Sequence, residues 1–416
     1  MIGIMRRLLR LTATGLSVLR NEGPRSFFSR FRRRIKSSIL GQSVALPVMT
    51  TDATLVDWSA PPPQLSEQIT VESGPIEIAW IMSPPSETSG GHQNLFRFID
   101  FAERAGHRCT VHFYTNTGVV VNIAEMASMI SRTAAYPNVY APMTMYDPVR
   151  GVGEGPQAIF ATGWETAYPA FLDRSSARRF YFVQDFEPSF YPVGSEATLA
   201  ENTYRFGFHG LTAGRWLSHK LHTEYGMNTD PFDFAVDKTH YSLTNTEPRQ
   251  EIFFYARPVT PRRGFELGVL ALTDFARQRP DITINLAGWD VSNWHLPFKH
   301  VSHSGVAITE LNGLYNACAA GLVLSMSNMS LLPLELMSSG VVPVVNDAPN
   351  NRMVSDSPFI EYVPPTPLAI SRALQRVVDR KDAVAHSIAM SQSVENTNWE
   401  DSGHAFVSAF EKAMRG

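Results

Sequence analysis

SMSNMSLLPLELMSSGVVPVV, residues 325–345, reads as the end of one strand, a polar turn, a short helix and the start of another strand. The Ser/Asn run supplies the turn, Gly340 stops the helix, and the valine-rich segment after it opens a second apolar strand. A helix that rises from such a turn presents unpaired N–H groups and the positive end of its dipole, which suits an anionic ligand such as a diphosphate. Glu335, about one turn into that helix, is placed to accept hydrogen bonds from a sugar hydroxyl. The same residues would equally serve an ordinary strand–helix–strand unit with a surface glutamate.

Working outward, the pattern repeats. Upstream, Glu251 to Tyr255 is an apolar strand that runs into the basic loop Ala256-Arg257-Pro258-Val259-Thr260-Pro261-Arg262-Arg263-Gly264. A helix follows to Arg277, then a strand over 282–287 ending in Gly288-Trp289, and a helix over 311–319. Strand, basic loop, helix and strand again describe a doubly wound parallel sheet. Arg257 and Arg263 leave the C-terminal end of their strand, where two guanidinium groups can grip a diphosphate bidentately; surface arginines on a loop would look the same.

The first half carries a second set of such units. IEIAWIM at 76–82 is a strand, SPPSETSGG at 83–91 a turn-rich loop, 94–105 a helix and 109–114 a second strand. Gly90-Gly91 would let a ligand approach backbone N–H groups, or would serve a tight turn. The strand at 180–183 ends in Gln184-Asp185-Phe186-Glu187-Pro188, and polar residues at that edge sit where open sheets bind ligands, although a bare carboxylate there also caps helices. Gly151, Gly153 and Gly155 lack the G-x-G-x-x-G spacing, so no nicotinamide site is read from them.

With 416 residues the chain is long enough for two domains with separate cores, and 44% hydrophobic against 18% charged residues is a soluble globular composition. Cys109 and Cys318 are far apart in apolar surroundings, which argues against a disulfide framework or a thiolate metal site and fits a reducing compartment. His107, His112, His295, His300 and His303 form no cluster with metal-ligand spacing.

Charge is distributed unevenly. Residues 1–40 hold ten basic side chains against Glu22, a net +9, so a total of -3 leaves -12 for the rest. That balance speaks against a nucleic-acid surface and for a local basic device. Leucines and methionines in residues 1–20, then Phe27, Phe28, Phe31, Ile35 and Ile39, interleave with arginines. The pattern describes either a helix lying on an anionic membrane surface or a solvated or partner-docking tail. No apolar run approaches the roughly 20 residues that span a bilayer. Arginines interrupt the apolar region and no small-residue cleavage site follows, against a secretory signal. Residues 41–75, with Pro61 to Pro63 in a row, look like a linker or strap.

Together these residues resemble nucleotide-sugar glycosyltransferases of the GT-B fold, in the retaining class that includes bacterial polysaccharide enzymes. Gly90-Gly91 matches the family's first-loop glycine pair. Arg257 and Arg263-Gly264 match its strand-borne basic pair, with one residue more between them and arginine in place of lysine. The runs at 161–170, 182–188 and 255–266 are most similar to rhamnosyltransferases that build S-layer and other surface glycans. The resemblance implies two Rossmann-like α/β domains facing a central cleft, an acceptor domain at 76–240 and a nucleotide-sugar domain at 250–390. A helix within 391–416 would cross back onto the first.

It further implies a dTDP-rhamnose donor, a glycan or lipid-linked glycan acceptor, no cofactor and no metal. Transfer would retain the anomeric configuration, with the leaving diphosphate helping to deprotonate the acceptor. The enzyme would work in the cytoplasm on the inner face of the membrane. Asp185, Arg257 and Arg263 are the expected catalytic residues. Gln184 and Asp185 would serve the sugar or acceptor side, Gly288, Trp289 and Val306 the base, and Ser330, Leu331 and Leu332 the diphosphate through backbone N–H groups. Glu335 would hold the ribose. The family pattern has two glutamates eight positions apart, and the first falls on Ser327. A changed sugar contact suits a 6-deoxy donor, and equally a noncatalytic nucleotide-sugar or glycan-binding protein on the same scaffold. A sugar-nucleotide epimerase on this fold would need a water-activating carboxylate and would release free sugar.

Overall fold

Thirteen short strands alternate with helices in the computed structural model, which describes residues 45–65, 69–87, 89–116, 119–329 and 331–416. The basic segment 1–40 and Ser330 lie outside the described residues.

The first seven strands are β1 (Glu77–Met82), β2 (Arg108–Phe113), β3 (Met143–Met145), β4 (Ala158–Ala161), β5 (Arg178–Val183), β6 (His209–Ala213) and β7 (Asn228–Phe232). They form one parallel sheet in the order β3-β2-β1-β4-β5-β6-β7. Strands β1, β4 and β5 are apolar on both faces because helices cover both, as a parallel sheet requires. Trp80, Phe160 and Phe180 stack in sequence through this core, and Trp80 pairs with Phe160 at 4.1 Å between ring centroids.

The second sheet repeats the plan with β8 (Glu251–Tyr255), β9 (Thr283–Ala287), β10 (Val301–His303), β11 (Cys318–Val323), β12 (Val342–Asn346) and β13 (Glu361–Val363). Its order, β10-β9-β8-β11-β12-β13, is again wholly parallel. The order reverses between β1 and β4 in one sheet and between β8 and β11 in the other; at such points a doubly wound sheet opens a crevice beyond its strand ends.

The cores set the division of the chain. Val236 and Tyr241 already pack with the second core, which runs on to Met390 and Val394. The C-terminal helix Trp399–Arg415 then returns to the first body, burying Phe406, Phe410 and Met414 among Trp80, Phe98, Phe160 and Phe180. Before β1, Val48 joins that same core, and Asp52 accepts the Tyr114 hydroxyl at 2.7 Å. No helix among the described residues is long and apolar enough to cross a membrane.

Candidate active site in the cleft between the sheets

The segment 325–345 folds as strand end, turn, helix and strand. The helix Leu332–Ser338 sits directly on β11, because Gly321 leaves room for Leu336: a Cβ at 321 would lie 2.5 Å from the leucine methyl. Pro333 has no N–H, and the amides of Leu334 and Glu335 already donate to the Leu331 carbonyl. This corrects the expectation of an open helix terminus: in the first turn, only Leu331 and Leu332 keep amides that Pro333 and those bonds do not remove.

The turn itself is the junction of the two bodies. Asn328 donates its side-chain amide to the carbonyls of Gln184, at 3.0 Å, and Ala213, at 2.9 Å, the C-terminal ends of β5 and β6. Its main-chain N–H donates to Asp185 Oδ1 at 2.8 Å. The Asp185 Oδ2 receives Arg262 Nε at 3.1 Å, with Arg263 Nη2 at 3.8 Å. One carboxylate of the first body is thus held by two guanidinium groups and an amide of the second.

Arg263 also donates to Ser325 Oγ at 2.7 Å and to the Asn328 carbonyl at 3.3 Å. Burial pulls its guanidinium below the ordinary value, and the nearby Asp185 charge opposes that shift. Gly264 makes this posture possible. It lies at φ +58°, and a Cβ there would meet Leu324 and Met326 at 3.2 and 3.1 Å. Met326 N–H closes the ring by donating to the Arg262 carbonyl at 2.8 Å. Beneath, Asn346, Asn350 and Asn351 all donate to the Ser325 carbonyl, and Asn350 also reaches that of Ser327.

Three buried polar atoms here have no hydrogen-bond partner among the described residues: Ser327 Oγ, Asn328 Oδ1 and Arg257 Nε. Buried polar groups are almost always paired, so each of these atoms can still take a water or a polar ligand. Arg257 lies between Tyr255, whose hydroxyl it reaches at 3.3 Å, and the ring of half-exposed Trp289, with its guanidinium carbon 5.8 Å from each ring centroid. Gly288 brings Trp289 round at φ +109°.

On the opposite wall, Gly90 and Gly91 are the first two residues of the helix Gly90–Arg104; the sequence reading put them in the preceding loop, with the helix from 94. Gln184 Nε2 donates to the Gly91 carbonyl at 3.0 Å, tying that helix to the end of β5. Glu335 is half-buried and faces Arg97 of this helix, with Tyr315 and Asp237 close by; burial pushes its carboxyl up to about 7, Asp237 adds to the rise, and Arg97 and Tyr315 oppose it. Val306 follows β10 at the sheet edge, and none of the described hydrogen bonds joins it to the Asp185 cluster.

Sequence reasoning missed Asn328, Arg262 and the asparagines beneath them. The available signal was Asn346 closing an otherwise apolar strand, with Asn350-Asn351 four residues on. It also passed over Glu165 beside Glu187. Glu187 accepts from Trp164 N–H and from the Tyr181 hydroxyl at 2.8 Å, and burial, reinforced by Glu165, pushes it up to about 8. Among the described residues no group of His, Cys, Asp and Glu could hold a metal ion.

The fold of the chain is shared with solved structures. A TarM mutant of Staphylococcus aureus, solved with fondaparinux, alpha-GlcNAc-glycerol and UDP, superposes with a TM-score of 0.63 at 7% identity, covering 80% of this chain and 99% of that one. HepE of Anabaena, solved with UDP and glucose, gives 0.59 at 12% identity, covering 81% of this chain and 100% of that one. The chain has the GT-B fold.

Residues 250–375 match the family model of the WsaF C-terminal domain. The O-antigen biosynthesis protein RfbC of Myxococcus xanthus is 31% identical over 342 residues, or 79% of this chain. The chain spans about a quarter (26%) of that relative's length.

Proposed function

We propose that this GT-B chain is a glycosyltransferase that moves a sugar from a nucleoside diphosphate onto a surface or O-antigen glycan. The observation that carries the reading is the gathering of Arg262 and Arg263 on the buried 325–329 turn at the junction of the two sheets, with Arg257 close enough to act on the Arg263 charge. In glycosyl transfer the anomeric carbon passes through an oxocarbenium-like state while a diphosphate departs. Arginines fixed in advance stabilise that leaving charge without reorganising. The match to an O-antigen biosynthesis protein supports the glycan acceptor, and the UDP held by the two structural relatives supports a nucleotide-sugar donor.

In finer detail, the donor is a deoxyhexose nucleotide, dTDP-rhamnose first, transferred with retention of configuration. Ser327 supports this: its buried hydroxyl stands where the resembling enzymes carry a carboxylate, a smaller contact for a sugar with one hydroxyl fewer. Glu335 takes the ribose, Trp289 and Gly288 the base, and the Leu331 and Leu332 amides the diphosphate. Residues 1–40 hold the enzyme to an anionic membrane surface, beside a lipid-linked acceptor. A panel of labelled dTDP- and UDP-sugars, offered with a rhamnosylated acceptor, tests the donor: transfer from dTDP-rhamnose is expected, and transfer from UDP-glucose alone would overturn the deoxyhexose assignment. Sedimentation with anionic vesicles tests the tail, and binding that survives deletion of residues 1–40 would remove its role.

A second reading, a noncatalytic binder of nucleotide sugars, is favoured by one observation. Asp185 occupies Arg262 and Arg263, two of the three guanidinium groups offered to a diphosphate. Donor binding without turnover would decide for it.

A further inference from the structure

The loop and helix that follow β1 hold a serine–histidine pair that the cleft residues above do not use. Ser89 Oγ lies 2.7 Å from His92 Nδ1, and His92 Nε2 lies 2.9 Å from the Ser83 carbonyl oxygen. A carbonyl can only accept, so Nε2 carries the imidazole proton and Nδ1 is bare. The Ser89 hydroxyl must then donate to Nδ1, which leaves both of its lone pairs free. That orientation is the opposite of a helix cap, and Ser89, at the N-cap position of Gly90–Arg104, makes no capping bond. A serine whose proton is already directed at a bare imidazole nitrogen, itself fixed by a third group, has the arrangement of an activated hydroxyl.

Its place in the fold connects the pair to the cleft. Gly91, between Ser89 and His92, is bonded through its carbonyl to Gln184, whose own carbonyl receives Asn328. Gly90 is exposed, and a Cβ there would meet nothing within 4 Å, so the residue next to Ser89 leaves open space; Ser89 itself is partly exposed.

We infer that Ser89 and His92 form a proton relay for the acceptor hydroxyl of the transfer reaction, an inference that rests on the glycosyltransferase reading. As the acceptor oxygen bonds to the anomeric carbon, the bond from that carbon to the diphosphate oxygen breaks and the diphosphate leaves with the electron pair. The acceptor proton passes to Ser89 Oγ while the Ser89 proton passes to His92 Nδ1. The resulting imidazolium returns its proton to water, or to the leaving diphosphate, before the next turnover. Burial holds His92 below its ordinary value, so it is neutral and able to receive at neutral pH. Charged groups on the elements packed around it are engaged elsewhere: Glu87 with Arg132, Arg97 with Asp237, and Asp185 with Arg262.

Three variants of the full chain test this. H92N places an amide oxygen where Nδ1 stood, so it keeps the Ser89 bond but cannot take a proton; S89A leaves the His92–Ser83 carbonyl bond intact; S83A removes the Ser83 hydroxyl, 3.4 Å from His92 Nε2, keeps the carbonyl, and should lower turnover less than either. Transfer turnover should fall about 10²–10⁴-fold in H92N and S89A, the usual span for lost general base catalysis. Binding of UDP and dTDP should stay within about 3-fold of wild type. Turnover of the wild type should fall on acidification, with the midpoint below the ordinary imidazole value, and that acid limb should vanish in H92N. Nitrogen-15 NMR of the wild type should show His92 in the Nε2–H tautomer, a readout independent of any donor.

An Nδ1–H tautomer, or H92N turnover within about 2-fold of wild type, would overturn the relay alone. Loss of nucleotide binding in step with turnover would assign the pair to loop bracing instead. Wild-type protein that transfers from none of the sugar nucleotides would overturn the glycosyltransferase reading beneath it, and the relay with it.

Discussion

Glu187 shows how one side chain reports on its surroundings. Its carboxyl is buried under Trp164 and Tyr181 with Glu165 beside it, and is held up to about 8. An unfolded chain would return it to the ordinary 4.5. Because the folded value is the higher one, the folded state binds more protons through that window, and stability falls as pH rises from about 4.5 to about 8. The slope is on the order of 1 kcal/mol per pH unit where Glu187 alone titrates differently. Glu187→Gln keeps an acceptor for Trp164 and Tyr181 and removes the charge. Its melting temperature should therefore decline less than that of the wild type between pH 5.5 and about 8. Parallel declines in the two proteins would show that Glu187 is not the group responsible. Glu335, raised for the same physical reason, adds a shallower contribution of the same sign that both proteins share.

The elements that matter most are the turn at 325–329 and the loop at 256–264. Asn328 alone spans three groups of the opposite body, and its truncation leaves the Gln184 and Ala213 carbonyls without their partner. Removing one partner of a buried hydrogen bond costs about 1–3 kcal/mol, enough to shift a closed–open equilibrium about fivefold or more. Asn328→Ala should enlarge the radius of gyration in small-angle scattering, and an unchanged profile would show that the domains are held by other contacts.

These same elements show where sequence reading runs out. Alternating apolar runs and polar turns were sufficient for two parallel sheets, since a buried strand and a helix face leave their period in the residues. The basic loop and the Ser/Asn turn were legible as ligand-facing because both follow strand ends. Asp185 was legible as polar at a strand end. That Arg262 and Arg263 would meet that carboxylate was not, because the contact spans 77 residues and depends on how two bodies dock. The start of the helix at Gly90 was hidden by residues with low helix propensity, which tertiary packing overrides.

At the scale of the whole molecule, the C-terminal helix Trp399–Arg415 makes the two bodies one chain twice over. Phe406 and Phe410 fill the aromatic core built from β1, β4 and β5, so the first body is completed by the last residues. Phe410→Ala should destabilise by about 3–5 kcal/mol, the range for truncating a fully buried phenylalanine. Chemical denaturation should show that loss in the transition of the first body, and a change confined to the second would contradict this packing.

If this cleft transfers a sugar from a nucleoside diphosphate with Arg257 at the leaving group, the decisive assay is transfer of labelled sugar from dTDP-rhamnose to a rhamnosylated acceptor, followed in wild-type protein and in Arg257→Ala. Wild-type protein should form the extended glycan, and Arg257→Ala should form it at least 100-fold more slowly, as expected when a charge that stabilises the leaving group is removed. Tight donor binding with no extended glycan, or equal rates in the two proteins, would contradict the account.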